Sequence, residues 1–147
     1  MGKFLRPGRV VIILQGRFAG RKAVILKSHD DGHSDRKFGH AIVAGIDKYP
    51  KKLRKNMREK TIKKRAAVKP FVKAINYLHM MPTRYNLDIH DKILAIVSDG
   101  TLNSDEKRRA AMRNVKKTFD ERYMNLAKAK TEKAALGAKY FFSKLHF

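Results

Sequence analysis

The stretch Arg6-Pro7-Gly8-Arg9-Val10-Val11-Ile12-Ile13-Leu14-Gln15-Gly16-Arg17-Phe18-Ala19-Gly20-Arg21-Lys22-Ala23-Val24-Ile25-Leu26 decides the fold. It holds two short apolar runs, 10–14 and 23–26, rich in β-branched residues and bounded by Pro7-Gly8, Gly16 and Gly20. Runs of this length and make-up read as strands, because a helix needs a longer segment with a 3.6-residue period. Residues 15–20 between them carry two glycines free to take positive φ, so the pair reads as a β-hairpin.

Working outward, 41–46 is a third run of strand type, and 71–78, opened by Pro70, and 92–97 are two more. Residues 29–39 are polar, with Asp30-Asp31-Gly32 as a turn, and read as a loop. Five short strands at this spacing predict a small β-barrel rather than a flat sheet. A helix is expected from Asn103. Asn103 and Glu106 have capping-box spacing, and Asp105 and Glu106 suit the positive end of the dipole. Met112, Val115, Phe119, Tyr123 and Leu126 then fall on one face, which reads as core or protein interface, and Gly137 reads as the terminator. The closing residues Tyr140, Phe141, Phe142, Leu145 and Phe147 predict a tail docked on the body, since a free tail would leave five large apolar groups in water. The fold class is α+β: a small barrel over 1–98 with a basic insertion at 48–70, then a helical extension over 99–147 with an aromatic tail.

The charge bounds the function. Thirty-five Lys and Arg oppose thirteen Asp and Glu, a net charge of +22 on 147 residues. Such a surplus repels itself and calls for a polyanion, nucleic acid first. Nearly half of it sits in residues 48–70, where eleven bases face one acid, Glu59. Residues 71–103 are balanced, three against three, and hold Phe71, Val72, Ile75, Tyr77, Leu78, Ile89, Ile93, Leu94, Ile96 and Val97, so they read mainly as core. The segment 51–66 has helical propensity, but its cations predict order only when phosphates screen them.

A hydrophobic share of 43% supports one modest core and excludes a fully disordered basic tail. The absence of Cys excludes disulfides and thiolate zinc sites. No signal-like N-terminus and no bilayer-length apolar run is present, so a soluble, non-secreted chain without membrane insertion is expected. His29, His33 and His40 lie near Asp30, Asp31 and Asp35, but without the spacing of a metal site. Asp99 and Asp105 make no carboxylate pair, and Ser28, Ser34, Ser98, Ser104 and Ser143 have no evident base. No enzyme, cofactor, metal or small-molecule substrate is expected.

The opening hairpin resembles a KOW motif, the β-hairpin of an SH3-like barrel found in ribosomal proteins and transcription elongation factors. Gly8, Gly16 and Gly20 stand where its glycines stand, and Ala23 replaces a common Gly. More of the chain resembles one family. Gly45-Ile46-Asp47-Lys48-Tyr49-Pro50, Val68-Lys69-Pro70-Phe71-Val72-Lys73, Asn76-Tyr77-Leu78-His79-Met80-Met81-Pro82-Thr83-Arg84-Tyr85 and the ending Tyr140-Phe141-Phe142-Ser143-Lys144-Leu145-His146-Phe147 are similar to the eukaryote-type twenty-seventh protein of the large ribosomal subunit, the L27e family. Ala138, Tyr140 and His146 stand where that family usually has Asn, Trp and Arg. The resemblance implies a place in the cytosolic large subunit, reached through the nucleus and nucleolus. Its implied partners are rRNA and neighbouring ribosomal proteins, and it implies no catalytic residues.

The candidate rRNA-binding residues follow from charge and place. In the middle run they are Lys51, Lys52, Arg54, Lys55, Arg58, Lys60, Lys63, Lys64, Arg65 and Lys69, where one acid cannot neutralise the bases internally. At the hairpin they are Arg9, Arg17, Arg21 and Lys22, where glycines let a backbone approach RNA. Phe18 has two readings, stacking on a flipped base or packing on a neighbouring loop. Arg84 and Tyr85 likewise read either as a phosphate contact with Tyr beside it or as a turn with Tyr85 as a barrel lid. On the long helix they are Arg109, Arg113, Lys116 and Lys117, opposite the apolar stripe together with Lys128. The competing function is a KOW-bearing transcription or chromatin factor. A membrane-active cationic helix is disfavoured, because the long helix lacks a wide apolar face.

Overall fold

The computed structural model describes residues 4–33 and 35–146, and for Asp99 the backbone alone. Residues 1–3, Ser34, Phe147 and the Asp99 side chain lie outside the described residues, so the readings placed on them rest on sequence. The strands are β1 (Arg9–Ile13), β2 (Lys22–His29), β3 (His40–Lys48), β4 (Lys69–Asn76) and β5 (Met80–Asn86). The helices are α1 (Glu59–Ala66), α2 (His90–Ile96), α3 (Asp105–Met124) and α4 (Glu132–Phe142). Short 3-10 turns occupy Tyr77–His79 and Asp99–Asn103.

The opening hairpin forms as read. Val10 pairs with Val24 and Ile12 with Lys22, and Gly16 and Gly20 take φ of 90° and 76° in the loop. All strands join one antiparallel sheet in the order β4-β3-β2-β1-β5. The 3-10 turn at Tyr77–His79 carries the chain from one edge strand, β4, to the other, β5.

Both faces of this sheet are buried, which explains why its strands read as unbroken apolar runs instead of alternating ones. Val11, Ile13, Ala23, Ile25, Val43, Phe71, Ile75 and Met80 pack together on the inner face. Members come from every strand, edge strands included, so the sheet curls around this cluster as a small barrel does. Val10, Val24, Leu26, Ile42, Ala44 and Ile46, of opposite parity, face outward and are covered by Ile93, Val115, Phe119, Phe141 and Phe142 from the helices. The stripe Met112, Val115, Phe119, Tyr123 and Leu126 therefore lies against the core, Val115 and Phe119 fully buried.

Four expectations are corrected. Residues 92–97 are not a strand: they belong to α2 and the residue after it. Ile89, Ile93 and Val97 are buried at a four-residue spacing while Leu94 is exposed, so helical periodicity overrides β-branched content. The fifth strand is β5, so the alternative that makes Arg84 and Tyr85 part of a turn does not hold. Its Pro82 is tolerated because β5 is an edge strand, and the pairing register shifts beside it. Asn103 does not cap the long helix. Ser104 is its N-cap, and the reciprocal capping pair is Ser98 with Thr101, at 3.0 Å between Ser98 N and Thr101 Oγ1.

Gly137 is the fourth correction. It lies inside α4, which ends at Phe142. A Cβ at position 137 would collide with the Asn86 carbonyl, so the glycine serves close packing of α4 on β5.

Candidate nucleic-acid interface

The middle basic run is organised around a groove. After β3 the chain runs irregularly from Lys51 to Arg58 and then enters α1. Glu59 in the first turn and Lys63, Lys64 and Arg65 in the last turn match the helix dipole at both ends. Arg65 folds back, and its Nε and Nη2 donate to the Lys52 carbonyl at 3.2 and 3.1 Å. The Lys51 amide donates to the Arg65 carbonyl at 2.9 Å, so the two ends of the run are tied together.

Between this loop, the entry to β4 and α3 lies a groove of about 380 Å³. Lys48, Lys51, Lys64, Arg65, Lys69 and Lys116 line it, with Tyr49 in its wall, and among the described residues no acidic side chain lines it. Asp120 braces it: its carboxylate accepts the Val68 amide at 3.0 Å and the Lys116 ammonium at 2.6 Å. Asp47 accepts Lys69 at 3.0 Å and lies 3.7 Å from Arg21. Two carboxylates thus position cations without cancelling the groove's charge. The remaining cations are open to solvent: Arg17, Lys51, Lys52, Arg54, Lys55, Arg58, Lys60, Lys64, Arg109, Arg113 and Lys117 are exposed and, among the described residues, outside any ion pair. Lys63 pairs with Glu59 at 2.8 Å on an open helix face, where such a pair is weak and exchangeable.

The structure removes Lys22 from the candidate surface. It is 1% exposed. Its ammonium donates to the carbonyls of Tyr140 and Ser143, both at 2.8 Å, and to Ser143 Oγ at 3.3 Å. The reason is strand parity. Lys22 shares the face of Val24 and Leu26, which the helices cover, and so it closes the C-terminal end of α4, where free carbonyls and the negative dipole end favour a cation. Burial lowers its pKa to about 8.

Three other candidates are tied to their own chain. Arg9 Nη1 donates to the Thr83 carbonyl at 2.9 Å, and Arg65 is the loop staple described above. Tyr85 stacks on Tyr140 with ring centres 4.1 Å apart, so it packs on α4 at the outer core and not over the inner face of the sheet. Arg84 remains exposed and donates to the Tyr85 hydroxyl at 3.1 Å. Phe18 is 8% exposed and lies flat on Phe71, with centres 3.9 Å apart and planes 3° apart, so it packs inward and its faces are not offered to a base. Arg17 lies over the Phe18 ring at 4.8 Å.

Lys48 belongs to the groove but was not singled out from sequence, where it is one of the eleven bases of 48–70; the structure makes it the last residue of β3. His29 stacks on His33 and His40 at 5.1 and 5.0 Å. Among the described residues no group of three or more His, Cys, Asp or Glu is placed to hold a metal, and no helix is long and apolar enough to cross a membrane.

An antiparallel sheet of five strands, helices on its outer face and a groove lined, among the described residues, by six cations and no acid define a strongly basic α+β protein. The chain belongs to the Ribosomal L27e protein family, whose pattern matches residues 10–147. It is 47% identical over 148 residues to the large ribosomal subunit protein eL27 of Caenorhabditis elegans, covering all of both chains. It is 48% identical over 147 residues to the protein of the same name from Tetrahymena thermophila, again over the full length of both.

Proposed function

We propose that the chain is a structural constituent of the cytosolic large (60S) ribosomal subunit that binds folded rRNA and holds its helices together. The groove carries this reading, because six cations converge there without an acidic residue in the lining. The mechanism is phosphate neutralisation and shape fit. A-form RNA hides its major-groove edges, so phosphates, 2′-hydroxyls and shape dominate recognition. The exposed cations of 51–60 and of α3 extend the contact on either side of the groove. Neighbouring ribosomal proteins, a cytoplasmic ribosome reached through the nucleus and nucleolus, and a division into 1–98 and 99–147 are parts of the same proposal. The family and the names of its relatives favour it over a transcription or chromatin factor.

Sucrose-gradient sedimentation tests it. The tagged chain is expected to migrate with 60S particles, resist low-salt washing and crosslink to large-subunit rRNA through residues 51–55. Sedimentation as a small free species, or with polymerase, overturns it.

A further inference from the structure

A second cleft, on the other flank of α3, lies between α2 and the end of α3 and has a volume of about 490 Å³. Arg122 forms part of its wall and is only 8% exposed. Its Nε donates to the Asp88 carboxylate at 3.0 Å, and its Nη1 donates to the Asn125 carbonyl at 3.0 Å. Its Nη2 is buried with no hydrogen-bond partner among the described residues. Buried donors are nearly always paired, and an unmet N–H on a charged group is costly.

The same cleft is lined by Lys92, Lys128 and Lys130, all exposed and, among the described residues, outside any ion pair. Its acids are Glu121 and Asp88, and Asp88 is committed to Arg122. The lining therefore carries four cations against two carboxylates. A guanidinium with a free donor, ringed by ammonium groups, suits a phosphate oxygen: the hydrogen bond is charge-assisted and the rim neutralises the anion.

We propose that this cleft receives a phosphate of an RNA backbone, with Arg122 as the fixed donor and Lys92, Lys128 and Lys130 as the neutralising rim. The inference rests on the rRNA-binding reading and adds a site to it. With Lys116 in the groove and Arg122 in the cleft, α3 becomes a wall between two RNA contacts.

The test uses the full chain and a large-subunit rRNA fragment. The variant Lys92→Ala, Lys128→Ala, Lys130→Ala leaves Arg122 and its Asp88 pair in place, so folding is not at stake. Each lost phosphate contact lowers the slope of log affinity against log salt by about one, so a fall of about two to three is expected. The charge-matched variant Lys133→Ala, Lys139→Ala, Lys144→Ala is expected to lose clearly less. Equal losses in both variants, or none in the first, overturn the proposal. If the first variant binds normally while Lys51→Ala, Lys64→Ala loses affinity, the cleft fails and the groove reading stands. If neither variant loses affinity, the rRNA-binding reading itself fails.

Side-chain NMR of Arg122 Nε–H separates the occupants. Shifts with both inorganic phosphate and the RNA fragment are expected. A shift with phosphate alone would mark a free-anion pocket. A shift with a glutamate-rich peptide but not with RNA would mark an acidic protein partner. Either result, or no shift at all, overturns the proposal.

Discussion

The Lys22 ammonium sits 3.7 Å from the centre of the Tyr140 ring and 2.8 Å from the Tyr140 carbonyl oxygen, joining the first hairpin to the last helix across 118 residues. This latch completes the outer core. It holds α4 where Phe141 and Phe142 share the outer core with Val24 and Leu26, and Tyr85 stacks on the Tyr140 ring.

Lys22→Met keeps the bulk but removes the charged donor to the two carbonyls, leaving Tyr140 O with the Ser143 amide and hydroxyl and taking from Ser143 O its Lys22 partner. A loss of stability on the order of 2–3 kcal/mol is expected in urea unfolding, with the salt slope of RNA binding unchanged. Wild-type stability, or a reduced slope, would return Lys22 to the RNA surface.

The same lysine makes a pH prediction. Its folded pKa is about 8, against 10.5 for a free lysine. Between those values the unfolded chain binds more protons, so this group makes stability rise with pH from about 8 and contributes nothing below it. The neutral amine still has two N–H donors for the two carbonyls at 2.8 Å, so the latch survives deprotonation. The stability difference between wild type and Lys22→Met should widen from pH 7.5 to 10, and one lysine Nζ signal should titrate near pH 8. A constant difference contradicts this.

Gly137→Ala forces a methyl against the Asn86 carbonyl, whereas Gly100 has open space. The first substitution should cost about 1–3 kcal/mol, as overpacking does, and weaken near-ultraviolet circular dichroism from the terminal aromatics. Gly100→Ala should do neither. Equal behaviour of the two variants would refute the packing role.

Phe18→Ala separates packing from base stacking. Removing the ring from Phe71 should lower stability by roughly 3–5 kcal/mol while the folded variant keeps its RNA affinity within about twofold. A stable variant with weak binding would restore the stacking role.

Much of this was legible, and the failures have physical causes. The hairpin, β3 and β4 were readable because β-branched runs ended at Gly, Pro or polar residues. The α3 stripe was readable because Val115 and Phe119 keep a helical period. Strand β5 was hidden, since Met80-Met81-Pro82 carries neither alternation nor β-branching and its place depends on pairing with β1. Residues 92–97 misled because their Ile and Val content outweighed the 89, 93, 97 spacing. At the site, the cations of 51–60 were visible as a run. The groove was not, because it needs Lys116 from α3 beside Lys51 and Lys64. Lys22 shows the limit of counting charge: only the parity of β2 reveals that it points under a helix.

Salt dependence of binding to a large-subunit rRNA fragment tests the central claim, that the acid-free groove engages phosphates, most directly. Wild-type affinity should fall by several decades between roughly 50 and 200 mM salt if about ten phosphates are engaged. Replacing Lys51, Lys52, Arg54 and Lys55 with Ala should lower the slope by about three to four while circular dichroism shows the sheet intact. A nearly flat titration for the wild type would mean that the groove does not hold RNA, and an unchanged slope in the folded variant would mean that this run, Lys51 of the groove included, is a solvated face.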